Sequence, residues 1–166
     1  MKRFALFSHP FSRKPRARAQ TMVEFALVMP ILLLIMVGLL EVGRLIFMYS
    51  TVISASREAV RYGSAMGLNV TGGVPRYEDC TGIRAAAQNM DFLGMIDDIN
   101  IVIAYDHGPG SAVFLGCPPA TVINGDRILV TVTATFLPTS GLVPLHTIML
   151  SASSARTMLI NISVIK

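Results

Sequence analysis

"RKPRARAQTMVEFALVMPILLLIMVGLLEVGRL" (Arg13–Leu45) decides how the rest of the chain is read. A basic run gives way to an apolar segment with one acid, Glu24, near its start and another, Glu41, near its end. Phe25 to Leu40 is uncharged and makes about 24 Å of helix, slightly short of a hydrocarbon layer of roughly 30 Å. The flanks from Met22 to Met48 supply the missing length and leave the two glutamates near the two interfaces. Glu41 and Arg44 lie three residues apart on one helical face, where pairing would lower the cost of dipping below the headgroups. Pro30 falls inside the segment and is tolerated in membrane helices. No second apolar run of comparable length exists, so one span is expected.

Composition agrees. Of 166 residues, 52% are hydrophobic and 14% charged, against about 25% charged in ordinary soluble domains. The net charge of +4 is unevenly placed. Lys2, Arg3, Arg13, Lys14, Arg16 and Arg18 supply +6 with no acid among them, and subtracting them leaves −2 for everything downstream. That remainder has neither a basic patch nor an aromatic stacking platform, which argues against nucleic acid as a partner. Positive charge ahead of the span places the N-terminus in the cytoplasm and everything after about Tyr49 outside. A cleaved secretory signal also has a basic front and an apolar middle. This apolar stretch is longer than a usual signal core, however, and Glu41-Val42-Gly43-Arg44 stands where a small-x-small cleavage site would follow. The expected organisation is a basic cytoplasmic leader (1–19), a transmembrane helix (20–49) and an extracytoplasmic domain (50–166).

Beyond the span, Val52, Ala55, Ser56, Ala59, Tyr62, Gly63 and Met66 recur at helical spacing, with Arg57, Glu58 and Arg61 on the other side. This small-residue stripe predicts a helix lying along a sheet, ended by the loop carrying Gly67, Asn69, Gly72, Gly73 and Pro75. "CTGIRAAAQNMDFLGM" (80–95) puts Ile83, Ala86, Ala87, Met90 and Leu93 on one face, a second helix of about four turns. Ile99–Tyr105 is dense in β-branched residues and predicts a strand. A Gly- and Pro-rich loop follows from His107 to Gly125. In "RILVTVTATF" (127–136), Ile128, Val130, Val132, Ala134 and Phe136 alternate with threonines, a half-exposed strand. Pro138 and Pro144 mark the next connection, and Ile148–Ile165 supports one or two more strands. The predicted class is α+β: a long N-terminal helix packed on a small antiparallel sheet, with one short second helix.

Cys80 and Cys117 both fall in the outside half, where an oxidising compartment favours a disulfide over a redox pair. Such a bridge would close roughly 37 residues and contribute about 3–4 kcal/mol in the chain-entropy model. His9, His107 and His146 have no carboxylate or thiol at ligand spacing, which gives no metal site. Asp97-Asp98 reads as a solvated cap, and no serine sits in a nucleophile elbow. "NGD" (124–126) reads as a turn before the Arg127 strand, not a phosphate cradle. No catalytic residue, cofactor site or metal site is expected, and no enzyme.

The polar marks in order resemble the N-terminal signature of the TadE-like family of the tight-adherence pilus system. They are Glu24-Phe25 opening the helix, Pro30, Glu41-Val42-Gly43-Arg44 at its exit, and Arg57-Glu58-Ala59-Val60-Arg61-Tyr62. The resemblance implies a pilin-like lollipop and a pilus-assembly component that packs with pilins, pseudopilins or the secretion platform. It also implies a prepilin peptidase as a possible partner, cutting between Ala19 and Gln20 so that Glu24 becomes the fifth residue. The usual residue before such a cut is Gly, and Ala19 stands there instead. Two states of Glu24 follow. In an uncut chain it is an interfacial acid near Arg16, Arg18 and the helix N-terminus. In a cut chain a new α-amine stands one turn away, and Glu24 pairs with that amine or with a neighbouring subunit's during assembly. Two other readings stay open: a membrane-tethered binding module unrelated to pili, and a signal-anchored enzyme.

Overall fold

The computed structural model describes residues 17–92, 94, 96, 100–139 and 146–160. The leader 1–16, His9, Leu93, Asp97-Asp98, Ile99, Pro144 and the tail 161–166 lie outside the described residues. The chain divides into two compact units with the boundary after Leu39.

The first unit is the apolar part of α1, which runs as one helix over Ala17–Gly63. Pro30 lies within it without ending it, although its ring removes one helical hydrogen bond. The large side chains here are uncovered: Phe25 is 66% exposed, Leu33 49% and Leu39 67%. This is the one helix among the described residues that is long and apolar enough to cross a membrane, with a window of mean hydropathy 2.6.

The second unit holds the rest of α1, then α2 (Cys80–Gln88), β1 (Ile101–Asp106), β2 (Val113–Leu115), β3 (Arg127–Phe136) and β4 (Ile148–Thr157). The strands form one four-stranded antiparallel sheet in the order β2-β1-β3-β4. The α+β class predicted from the sequence is the class observed. Alternation in β3 works as expected: Ile128, Val130, Val132, Ala134 and Phe136 are all buried, while Thr131 and Thr133 pair across to Ser153 and Ser151 on the outer face. The buried side meets Val52, Ala55, Ala59 and Val60 of α1 in a single core with Ile83 and Ala87 of α2. Small residues allow the helix to sit close. Ser56 Oγ lies 2.9 Å from Ser154 Oγ on β4, and a Cβ on Gly63 would fall 2.5 Å from Ile128 Cδ1.

Three expectations change, and one narrows. Met66 lies beyond α1 and is 59% exposed, outside the packed stripe. The second helix stops at Gln88 after nine residues: the amides of Met90 and Asp91 bond three residues back, to Ala87 and Gln88, instead of four, and the Asp91 carboxylate accepts from the Ile96 amide at 2.6 Å. Val113–Leu115, inside the expected loop, forms a short edge strand on β1 through Ala104↔Leu115 to Asp106↔Val113. After Pro138, the C-terminal stretch supplies one strand among the described residues, ending at Thr157.

Candidate functional site

The candidate site is the polar signature along α1, taken from the N-terminal end. Gln20 Nε2 donates to Glu24 Oε1 at 3.3 Å, one turn apart on an exposed face. The expected partners Arg16 and the side chains of Arg18 and Ala19 lie outside what is described. Phe25 is exposed beside Glu24.

Further along, Glu41 and Arg44 do pair, at 3.4 Å, but they do more than neutralise each other. Glu41 Oε1 accepts from the Thr139 amide at 3.0 Å and from its hydroxyl at 2.7 Å. Arg44 donates to Thr139 Oγ1 at 2.8 Å and to the Leu137 carbonyl at 2.9 Å. Its guanidinium also stands 5.0 Å from the Phe136 ring centre. The result is a closed clasp between α1 and the chain leaving β3, with Glu41 only 7% exposed. The sequence shows the Glu41–Arg44 spacing but not Thr139, which is remote in the chain and has no marker of its own. Gly43 is exposed and a Cβ there would meet nothing within 4 Å; nothing in the structure explains it.

At the far end of α1, Arg57 is exposed and Glu58 forms a two-pronged contact with Arg61. The Arg61 guanidinium holds the Glu58 carboxyl below its usual range. Tyr62 donates to Asp79 Oδ2 at 2.7 Å, and Arg76 lies over its ring at 5.4 Å. Asp79 is the N-cap of α2, accepting from the Gly82 amide at 3.0 Å and from Thr81 Oγ1 at 2.9 Å. Burial pushes the Asp79 carboxyl up, but the hydroxyl of Tyr62, the Gly82 amide and two further side chains together hold it below the usual range. A Cβ on Gly82 would crowd the Asp79 carboxylate and lie 2.5 Å from Tyr62 Oη, so the close approach requires glycine. Tyr62→Phe is expected to cost about 1–2 kcal/mol, because it removes a hydrogen bond to a charged, buried acceptor. Thermal unfolding of the detergent-solubilised chain measures this.

The next residue, Cys80, opens α2 and is bonded to Cys117, with 5.7 Å between Cα atoms across a separation of 37. The predicted disulfide is present. Tyr105, fully buried between these elements, donates to the Tyr77 carbonyl at 2.6 Å, and burial pushes its hydroxyl pKa up.

Two acid–base pairs at the start of β3 were not visible as pairs in the sequence. Arg127 grips Asp106 with two nitrogens across β1 and β3, and this holds the Asp106 carboxyl below its usual range. Asp126 Oδ1 lies 2.8 Å from His107 Nδ1, so His107 does not stand alone as its sequence context suggested. Among the described residues no group of three or more metal-ligating side chains comes together. A groove of about 290 Å³ beside the end of α1 is lined by Met66, Leu68, Pro75, Tyr77 and Met158, without an acid–base or nucleophile constellation. The carboxyls of Asp79, Asp106 and Glu58 are all depressed in the folded state. The unfolded chain therefore binds more protons in the acid range, and stability is present above about pH 4 and lost as pH falls through the folded pKa values. The unfolding temperature should drop below about pH 4, and Asp106→Asn should flatten that drop.

The marks from Glu24 to Arg61 lie on one helix and in one order. Residues 19–61 match the TadE-like protein family model. The matched stretch covers the apolar segment, the clasp residues of α1 and the Glu58–Arg61 pair, and it stops before the sheet, α2 and the disulfide. The TadE-like match connects the chain with the tight-adherence pilus system through its N-terminal apolar helix. No curated protein and no solved structure matches the chain.

Proposed function

We propose that this chain is a single-pass structural component of a tight-adherence pilus, anchored in the cytoplasmic membrane with its N-terminus inside and the α+β domain outside. It acts by packing: α1 meets pilins, pseudopilins or the secretion platform within the bilayer, and the braced domain is presented beyond it. The supporting observation is that the TadE-like stretch coincides with the uncovered apolar helix, whose acid and aromatic, Glu24 and Phe25, are both exposed. An apolar surface this long needs lipid or partner helices around it. No side-chain constellation in the described domain favours catalysis over this role.

Alanine at Glu24 or Phe25 should abolish piliation while leaving the amount of membrane-inserted protein unchanged. Normal piliation in both variants would mean that the helix is only a tether. The intact mass of the native protein separates the two states of Glu24. A chain beginning at Gln20 is a processed pseudopilin, and one retaining Lys2 and Arg3 is a fixed anchor.

A further inference from the structure

We infer that the domain makes a second contact with the bilayer, through Leu137 and Met149 at the clasp end of the sheet, in addition to the helix. The inference rests on the membrane-anchored reading above. A hydrocarbon layer of roughly 30 Å takes about 20 residues of helix. A span that begins after Glu24 therefore ends at about Arg44. Arg44 donates to the Leu137 carbonyl at 2.9 Å, so Leu137 lies at the depth of Arg44. Its side chain is nevertheless 60% exposed. Met149 stands in register with Thr135, two residues before Leu137, and is 73% exposed.

Strand alternation puts Met149, opposite Thr135, on the sheet face away from α1, whereas Phe136 is buried and Leu137, just past the end of β3, is exposed. On the helix side of the clasp, Leu40 and Ile46 are 70% and 62% exposed. Exposed apolar side chains thus flank the clasp on the helix, within about one turn of Glu41 and Arg44, and at the end of the sheet. Within the clasp, Glu41, Arg44 and Thr139 bond to one another, and Glu41 is largely buried. The opposite end of β3, about 30 Å away along a ten-residue strand, carries Asp106, His107, Asp126 and Arg127 instead. The occupant that fits is the headgroup–acyl boundary of the leaflet on the domain's side. Continuity with the span argues for lipid over a second copy of the chain.

The chain contains no tryptophan, so single-Trp variants report without background. Leu33→Trp, Leu137→Trp, Met149→Trp and Ile123→Trp in the full chain would be reconstituted into phosphatidylcholine vesicles with or without brominated acyl chains. Each variant is first checked for helix content and an intact disulfide. The expected result is that Leu33→Trp and Leu137→Trp lose most of their emission to bromine. Met149→Trp should be quenched more by shallow than by deep bromines, and Ile123→Trp, next to Asp126, should keep its emission. Quenching of Leu33→Trp without Leu137→Trp or Met149→Trp would overturn the second contact and leave the anchor standing. Blue-shifted but unquenched emission at 137 and 149 would mean that protein covers the patch, and would overturn it too. Unquenched Leu33→Trp would remove the anchor reading itself.

Discussion

Replacing Cys80 and Cys117 together by serine is expected to cost about 3–4 kcal/mol of domain stability. The bridge spans 37 residues between the start of α2 and the segment after β2. In that interval the chain passes through a helix that ends early, one strand of six residues and one of three. Without the bond, the unfolded chain regains the entropy of an open loop, while the native state keeps the core contacts of Ile83, Ile103 and Tyr105 and the β1–β3 ladder. The short edge strand β2 should be affected most, because three ladder pairs are its only backbone attachment to the sheet among the described residues. Chemical denaturation of the variant and the wild-type chain, each in the same detergent, gives the difference. Hydrogen exchange should show the largest loss of protection at Phe114 and Leu115. A difference near zero would mean that the core around Ile83, Ile103 and Tyr105 holds α2 in place unaided.

Glu41→Ala is the second large effect, about 2–3 kcal/mol, the scale of losing charge-assisted hydrogen bonds at a largely buried carboxylate. Glu41 receives the amide and hydroxyl of Thr139 and faces the Arg44 guanidinium. Truncation leaves the Thr139 amide without its acceptor and leaves Arg44 with the Thr139 hydroxyl, the Leu137 carbonyl and the Phe136 ring. Glu41→Gln keeps an acceptor for Thr139 and removes the charge, so it should recover part of the loss. If Glu41→Gln behaved like the alanine variant, the ion pair would carry the clasp. If it behaved like wild type, the hydrogen bonds to Thr139 would. Thr139→Ala, which keeps the amide donor, should fall between wild type and Glu41→Ala.

Much of the fold was legible because two periodicities are strong in this chain. The β3 alternation, with Ile128, Val130 and Val132 inward and threonines outward, follows from the pleat alone, and the structure keeps its bounds unchanged. The stripe Val52, Ala55, Ser56, Ala59 reads as a helix lying on a sheet, because only small side chains permit that approach. Edge strand β2 was hidden because three residues bounded by glycine and proline carry no periodic signal. The end of α2 was hidden because the apolar pattern runs on past Gln88, while the amides of Met90 and Asp91 turn to three-residue bonds that end the helix.

The functional marks divide in the same way. Glu24, Phe25, Glu41, Arg44 and the Arg57–Tyr62 run are visible because they are polar or aromatic residues at fixed positions along one helix. The sequence alone thus determined an apolar span with its basic flank, the α+β class and the resemblance of the Glu24–Tyr62 stretch to TadE-like proteins. Those properties depend on hydropathy, spacing and local periodicity, each of which is a property of neighbours in the chain. Tertiary structure alone decided that Glu41 and Arg44 close on Thr139, that Tyr62 holds the cap of α2 through Asp79, and that Asp106 and Asp126 meet Arg127 and His107. Each joins residues that are remote in sequence or on different strands, and a hydrogen bond between such partners exists only once the backbone has set their distance.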